Sequence, residues 1–333
     1  MKYISFLCFL MLQASLFKIS NFAQNLPDIN LLIKEKKYPE AEKMIAKRMV
    51  EETNRDSLFF YKGVIFYLKD SNFEEAVTCF EKSIDLNPKN SNYYLWHAKT
   101  LGKIAKKGGI FGQVNTAGKV KKSLEKAIEL DDKNFEAFYL LVAFHMVAPG
   151  IAGGDQEVAT KIAREYEKFD INRANILWAV IYKRQRSLDD YLEFFGKIQP
   201  PEDEISKTVY RDSFLNDLFD EIVYLLSKNN VENASKLVSM CIKKFPNSPI
   251  GYWGYGRILV EEKKYDEAIA NFEKAISVDD NFKSAYYRLG VTYQLKGERE
   301  KAVSYLTKFL TLESDKGAGT VKDAEKRIEQ LKK

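Results

Sequence analysis

The sequence predicts an all-α solenoid of about eight helix-turn-helix hairpins closed by a C-terminal capping helix, and three observations carry that reading. Ala234, Ala268 and Ala302 stand 34 residues apart, and the residues around each recur in step. Windows that begin at Leu215, Pro249 and Lys283 align Ile222, Gly256 and Gly290 at the eighth place. They align Leu225, Leu259 and Tyr293 at the eleventh, and Val238, Phe272 and Leu306 at the twenty-fourth. Within the middle window Tyr252, Gly256 and Leu259 fall at i, i+4 and i+7, and Tyr265, Ala268, Phe272 and Ala275 form a second helical stripe. A small residue on the first helix therefore faces a large one on the second. One such hairpin leaves apolar faces bare, so stacked neighbours must supply the core.

A period of 34 with a small residue at the eighth place, a bulky one at the eleventh, alanine at the twentieth and a bulky one at the twenty-fourth resembles the tetratricopeptide repeat. The likeness runs from about residue 25 to residue 333 and is strongest in the last three windows. It implies a right-handed solenoid and a protein-binding role.

The elements follow in chain order. Tyr38, Ala41 and Ile45 mark the first hairpin. Gly63 and Tyr67 open the second, and Phe73, Ala76, Phe80, Ser83 and Pro88 complete it, with one residue too many at the turn. Ala98, Leu101, Leu124 and Ala127 belong to a third, whose helices are expected to flank an inserted glycine-rich loop, Lys106 to Gly118. A fourth opens at Phe135 and carries the interruption Pro149 to Gly154. The fifth, around Trp178, Tyr182, Leu188 and Tyr191, is degenerate. Beyond it, Pro200-Pro201-Glu202-Asp203-Glu204 can continue no helix, because proline lacks a donor and restricts the residue before it. That run divides an irregular N-terminal arm, 24–199, from a regular C-terminal array, 205–333. Gly317-Ala318-Gly319 then breaks the chain, and Thr320 to Lys333 reads as the polar cap that an exposed solenoid end requires.

With 45% hydrophobic and 30% charged residues, 8 prolines and 17 glycines, the chain has the composition of an ordered protein. Residues 1–23 read as a signal peptide: Lys2 precedes an apolar run from Ile4 to Phe17, and Ser20-Asn21-Phe22-Ala23 offers cleavage after Ala23. Retention as an anchor is the alternative. No later stretch approaches the roughly 20 apolar residues that span a bilayer. The expected location is therefore exported, periplasmic or associated with the cell envelope. Cys8 leaves with the signal, and Cys79 and Cys241 occupy second-helix positions suited to small buried hydrophobes.

Catalytic chemistry finds no constellation. His97 and His145 are the only histidines, and neither has a cysteine or carboxylate at metal-ligand spacing. Gly112 to Val120 superficially resembles a phosphate loop, but five residues separate its glycines and Val120 replaces the Ser or Thr. No catalytic residue, metal or cofactor is assigned, and the expectation is a protein that is not an enzyme.

Binding is the remaining reading. In tetratricopeptide repeats the first helix of each hairpin lines a concave groove, so the resemblance implies a groove stripe of Phe219, Val223 and Leu226, then Trp253, Arg257 and Val260, then Tyr287, Val291 and Gln294. Aromatic residues with one arginine suit a peptide interface. Replacing Trp253 and Tyr287 with alanine is expected to weaken partner capture and leave the fold intact. The family's lysine and asparagine clamp is not supported, since Trp253, Arg257, Tyr287 and Val291 hold its places. A second candidate is electrostatic: Asp and Glu are absent from Leu86 to Leu124, where Lys99, Lys103, Lys106, Lys107, Lys119, Lys121 and Lys122 fall. Such a segment suits an acidic protein surface or a membrane. Nucleic acid is disfavoured by a net charge of only +5 and by the lack of any reading module.

The function expected is a non-enzymatic scaffold of the bacterial envelope that binds a peptide or protein in the groove. The alternative is a periplasmic small-molecule or lipid-binding accessory of a transport system. Ala148 to Gly154, with the insertion before it, is similar to exported bacterial tetratricopeptide proteins and to the periplasmic component of tripartite transporters.

Overall fold

The computed structural model describes residues 28–53, 55–199, 214–313 and 318–332. The signal peptide, the Pro200–Glu204 joint and Gly317 lie outside them. Among the described residues every regular element is helical, and the chain divides into two compact units, Met1–Asp155 and Gln156–Lys333. The first holds α1 (Ile29–Lys34), α2 (Tyr38–Glu51), α3 (Asp56–Ile65) with a π-helical turn at Phe66–Asp70, α4 (Phe73–Leu86), α5 (Ser91–Lys107), α6 (Gly109–Leu130), α7 (Phe135–Val147) and a 3-10 turn at Gly150–Ala152. The second holds α8 (Gln156–Glu167), α9 (Ile171–Gln185), α10 (Leu188–Lys197), α11 (Leu215–Ser227), α12 (Val231–Lys244), α13 (Pro249–Glu261), α14 (Tyr265–Val278), α15 (Lys283–Lys296), α16 (Arg299–Leu312) and α17 (Gly319–Lys332).

The core has the small-against-large form that the period predicts. A methyl group added to Gly256 of α13 meets the Phe272 ring of α14 at 2.6 Å, and one on Gly290 of α15 meets Leu306 of α16 at 2.5 Å. Gly63 of α3 stands to Phe80 of α4 in the same way, at 2.7 Å. Phe80, Phe272 and Leu306 are all fully buried. Gly254 performs the same service between hairpins, where Val238 and Ile222 leave no room for a side chain. The cap packs through Val321 and Ala324 against Tyr286, Leu306 and Phe309.

The turns inside the hairpins share one geometry. Lys36, Arg186, Asn229, Lys263 and Gly297 each take a left-handed backbone, with φ from 55° to 82°. In each, the N–H of that residue donates to a carbonyl three positions back and the next N–H donates five positions back, as Lys263 to Val260 and Lys264 to Leu259 do. This is the Schellman closure, which satisfies carbonyls that a helix end leaves orphaned. Only at Gly297 is the left-handed position filled by glycine.

The surplus residue of the second hairpin goes into the π-helical turn. Ser71 is left-handed like its counterparts, but Asn72 N–H donates six residues back, to Phe66. An insertion is thereby absorbed inside the helix, a known use of π-bulges.

One expectation is corrected. The segment Lys106 to Gly118 is not a loop: α5 runs to Lys107, Gly108 makes the turn, and α6 is helical from Gly109. The segment contains no proline, so each added residue keeps a helical hydrogen bond, and the insertion lengthens the hairpin. The two compact units meet between Asp155 and Gln156, while the proline pair lies outside the described residues. Pro149 to Gly154 breaks the helix there: Gly153 is left-handed at φ 88°, and Gly154 N–H closes onto the Pro149 carbonyl. A side chain on Gly154 would lie 1.7 Å from the Ala148 oxygen. The expected fourth hairpin is therefore divided, with α7 in the first unit and α8 in the second.

Candidate functional site

The first helices of the C-terminal repeats carry a connected row of aromatic and cationic side chains. On α11 the Phe219 ring lies 4.4 Å from the Trp253 ring of α13 and meets Phe282 edge-on at 6.1 Å. Trp253 is only 2% exposed, and its indole N–H donates to the Ser284 carbonyl at 3.3 Å. Arg257, one turn on, lies over the Trp253 ring at 5.5 Å. On α15 the Tyr287 ring packs on Phe309, and its hydroxyl donates to Asp323 of the cap at 2.6 Å. Arg327 of the cap binds Asp323 at 2.5 Å and donates to Gln294 at 2.7 Å.

This geometry sorts the sequence candidates. Trp253 is buried and joins successive repeats through its packing and its indole hydrogen bond, so its removal is expected to cost stability. Tyr287 and Gln294 are half-buried and engaged by the cap. Phe219, Val223 and Arg257 are half-buried and form the part of the row that the cap does not bond.

Sequence reasoning missed one member. Arg288 neighbours Tyr287 on α15, is half-buried and lies over the Tyr287 ring at 5.3 Å. Burial, followed by the charge of Arg257, drives its guanidinium down to about 10. Arg257 is lowered in the same direction, chiefly by burial. A signal was present: Arg257 and Arg288 lie on successive first helices, separated by one period less about a helical turn.

The lysine segment is less free than its composition implies. Lys99 pairs with Glu136 at 2.6 Å and lies over the Trp96 ring at 4.5 Å. Lys107 covers the Phe73 ring, and Lys121 meets Glu125 at 3.9 Å. Lys103, Lys106, Lys119 and Lys122 are exposed. These four make the cationic surface of α5 and α6, and solvent-screened charges of this kind contribute little to stability.

Both histidines are buried. His97 accepts or donates through Nδ1 to Ser123 at 2.9 Å, and its Nε2 lies 3.6 Å from Glu81. Burial holds both rings below the ordinary histidine value of 6.5; Glu81 opposes this at His97, and Asp155 and Glu125 oppose it at His145. The unfolded chain therefore takes up protons first as pH falls, so stability present above pH 6.5 is lost below it. Thermal melts at pH 7.5 and pH 5.5 check this: the drop shrinks in His97→Gln and His145→Gln. A wild-type midpoint indifferent to this change would contradict it. Among the described residues Cys79 and Cys241 are free and buried, and burial pushes Cys241 up to about 12. That is the opposite of an activated nucleophile. Among the described residues no group of three or more His, Cys, Asp or Glu could hold a metal ion. Nor is any helix among them long and apolar enough to cross a membrane.

Comparison with known proteins supports the repeat. A TPR repeat model matches residues 256–297, and a tetratricopeptide repeat model matches 284–316. A model described as regulator of microtubule dynamics protein 1-3 matches 68–175. The small glutamine-rich tetratricopeptide repeat-containing protein 2 of Saccharomyces cerevisiae is 29% identical over 109 residues, which is 32% of this chain and 32% of that protein. The anaphase-promoting complex subunit CDC16 of the same yeast is 22% identical over 222 residues, or 60% of this chain and 26% of that one. The chain thus spans about a quarter to a third of these relatives' length. Both are yeast proteins and lend no support to a bacterial or transporter likeness. Among solved structures, yeast Tom70 superposes with a TM-score of 0.64 at 16% identity, covering 89% of this chain and 59% of that one. Family models and shared fold together support tetratricopeptide repeats in this chain, a repeat that generally mediates protein–protein interaction.

Proposed function

We propose that this chain is a non-enzymatic scaffold that holds a protein or peptide segment against the first helices of its C-terminal repeats. One observation carries the reading: Phe219, Val223 and Arg257 form a half-buried surface on a rigid frame set by Trp253, Tyr287 and the cap. Preformed apolar surface beside an arginine is what peptide anchors use. The proposed setting is the cell envelope, and it rests on residues 1–23 alone.

Selection from a random peptide library on the full chain tests the scaffold. Peptides are expected to be enriched, and Val223→Glu is expected to weaken them about tenfold by placing a charge in the apolar row. Failure to enrich any peptide or captured protein over an unrelated helical control would remove the reading. The same protein isolated from envelope fractions should begin at Gln24.

A second reading has its own observation. Ile45, Ala46 and Met49 of α2 and Phe59, Ile65 and Phe66 of α3 with its π turn, together with Glu42 and Lys62, line a cleft of about 270 Å³. An apolar cleft with few polar groups suits a small or lipidic ligand. Native mass spectrometry that finds a co-purified small molecule and no protein partner would favour this accessory role.

A further inference from the structure

The cleft that α2 and α3 share in the first unit has apolar walls and two unequal charges. Ile45, Met49, Phe59, Ile65 and Phe66 form the walls, and Glu42 and Lys62 are the charged residues of the lining. Glu42 is already taken: Lys69 of the π turn donates to both of its carboxylate oxygens, at 2.8 and 3.1 Å. Lys62 makes no hydrogen bond or ion pair among the described residues, and its ammonium stands 5.7 Å from the Phe66 ring. Lys82 of α4 also lacks an ion pair among them and lies over the Phe59 ring at 5.4 Å. Two rings of the wall therefore each carry an ammonium that no carboxylate pairs.

Each feature selects against part of the chemical range. Apolar walls favour a hydrocarbon, whose burial is worth more with every methylene removed from water. At about 270 Å³ the cleft falls below the roughly 300–1,000 Å³ of sites that enclose a drug-sized ligand, so it suits one chain and not the two of a bilayer lipid. Met49 is unbranched and polarisable, which lets the wall follow a flexible chain. The unpaired lysines favour an anionic head over a neutral or cationic one. Both lysines are exposed, so the head they meet keeps most of its hydration. The π turn is a separate sign of a built site: Phe66 is its first residue, and its Lys69 removes Glu42 from competition. Such turns occur frequently at functional sites.

We propose that this cleft binds the single alkyl chain of an anionic amphiphile of the fatty-carboxylate class, with the chain between α2 and α3 and the carboxylate beside Lys62 and Lys82. The inference rests on the small-ligand reading of the cleft and adds the number of chains and the charge of the head.

Methyl NMR of the full chain, with Met and Ile methyl groups labelled, tests it. Octanoate, decanoate and dodecanoate are titrated in turn below their micelle concentrations. Saturable shifts are expected at Met49, Ile45 and Ile65 and none at Ile258, and decanoate should bind roughly tenfold tighter than octanoate. Dodecyltrimethylammonium, a like chain with the opposite charge, should bind about tenfold more weakly than dodecanoate. In Lys62→Gln/Lys82→Gln these two probes should bind alike. Ala46 is exposed on α2, so Ala46→Trp fills the cleft without entering the core; it should abolish every shift and leave the circular dichroism unchanged. Equal affinity for the two heads in the wild-type chain overturns the anionic assignment and leaves an apolar ligand site standing. Dihexanoyl phosphatidylglycerol that binds more tightly than decanoate overturns the single chain. Binding that Ala46→Trp does not disturb, or no saturable shift with any probe, removes the cleft as a site and the small-ligand reading with it.

Discussion

Trp253→Ala is expected to lower the stability of the second unit by about 3–5 kcal/mol, the loss typical of deleting a large buried aromatic side chain. The ring is almost wholly enclosed, packs on Phe219 and donates to the Ser284 carbonyl, so its removal opens a cavity and orphans an acceptor. Its place is the seam between three successive first helices, α11, α13 and α15. Urea unfolding followed by far-UV circular dichroism measures the loss, and Trp253→Phe should retain roughly half of the stability at stake. A change below about 1 kcal/mol would show instead an open groove residue. Partner capture by the alanine variant says nothing about binding unless its fold is measured first.

Gly256→Leu should cost stability at the upper end of the overpacking range, about 3 kcal/mol or more. The first added carbon already lies 2.6 Å from a Phe272 ring that has no room to retreat. Gly256→Ala should cost less, because alanine regains about 1 kcal/mol of helix propensity while it meets the same ring. The diagnostic result is a double-mutant cycle. Phe272→Ala in the Gly256→Leu background should recover a coupling of at least about 1 kcal/mol, since the two side chains exchange volume across one contact. Strict additivity would mean that the two helices do not approach as closely as the pair implies.

Much of this architecture was legible in the sequence, and the reasons are local. Gly256 with Phe272 and Gly290 with Leu306 are each a same-period pair, so the pattern gives the contact directly. The misfit of one residue near Gly63 and Tyr67 was visible as a number, but spacing alone could not say that the π turn at Phe66–Asp70 would absorb it. Glycines suggested a loop at Lys106 to Gly118 because their intrinsic preference is against helix; nothing local reveals that continued hydrogen bonding outweighs it. The division after Asp155 depends on which helices pack together, which is a tertiary property. At the candidate site, a stripe drawn one residue beyond the core found Arg257 and missed Arg288. It also promoted Trp253 to the surface, because helical spacing gives direction and not the depth of cover that the next repeat supplies.

The Schellman turns have a consequence for how such an array diversifies. Once the backbone has closed on itself at Lys36, Arg186, Asn229, Lys263 and Gly297, the side chain at the left-handed position owes nothing to its own hairpin. It becomes a position that selection can rewrite at the cost of mild local strain. Arg186 illustrates the use: from its turn it covers the Tyr224 ring at 3.9 Å and reaches Glu221 at 3.4 Å on the hairpin that follows. The least comfortable residue of one hairpin thus serves as a latch on its neighbour, and such a turn can change the fit between adjacent repeats while every core contact stays as it is.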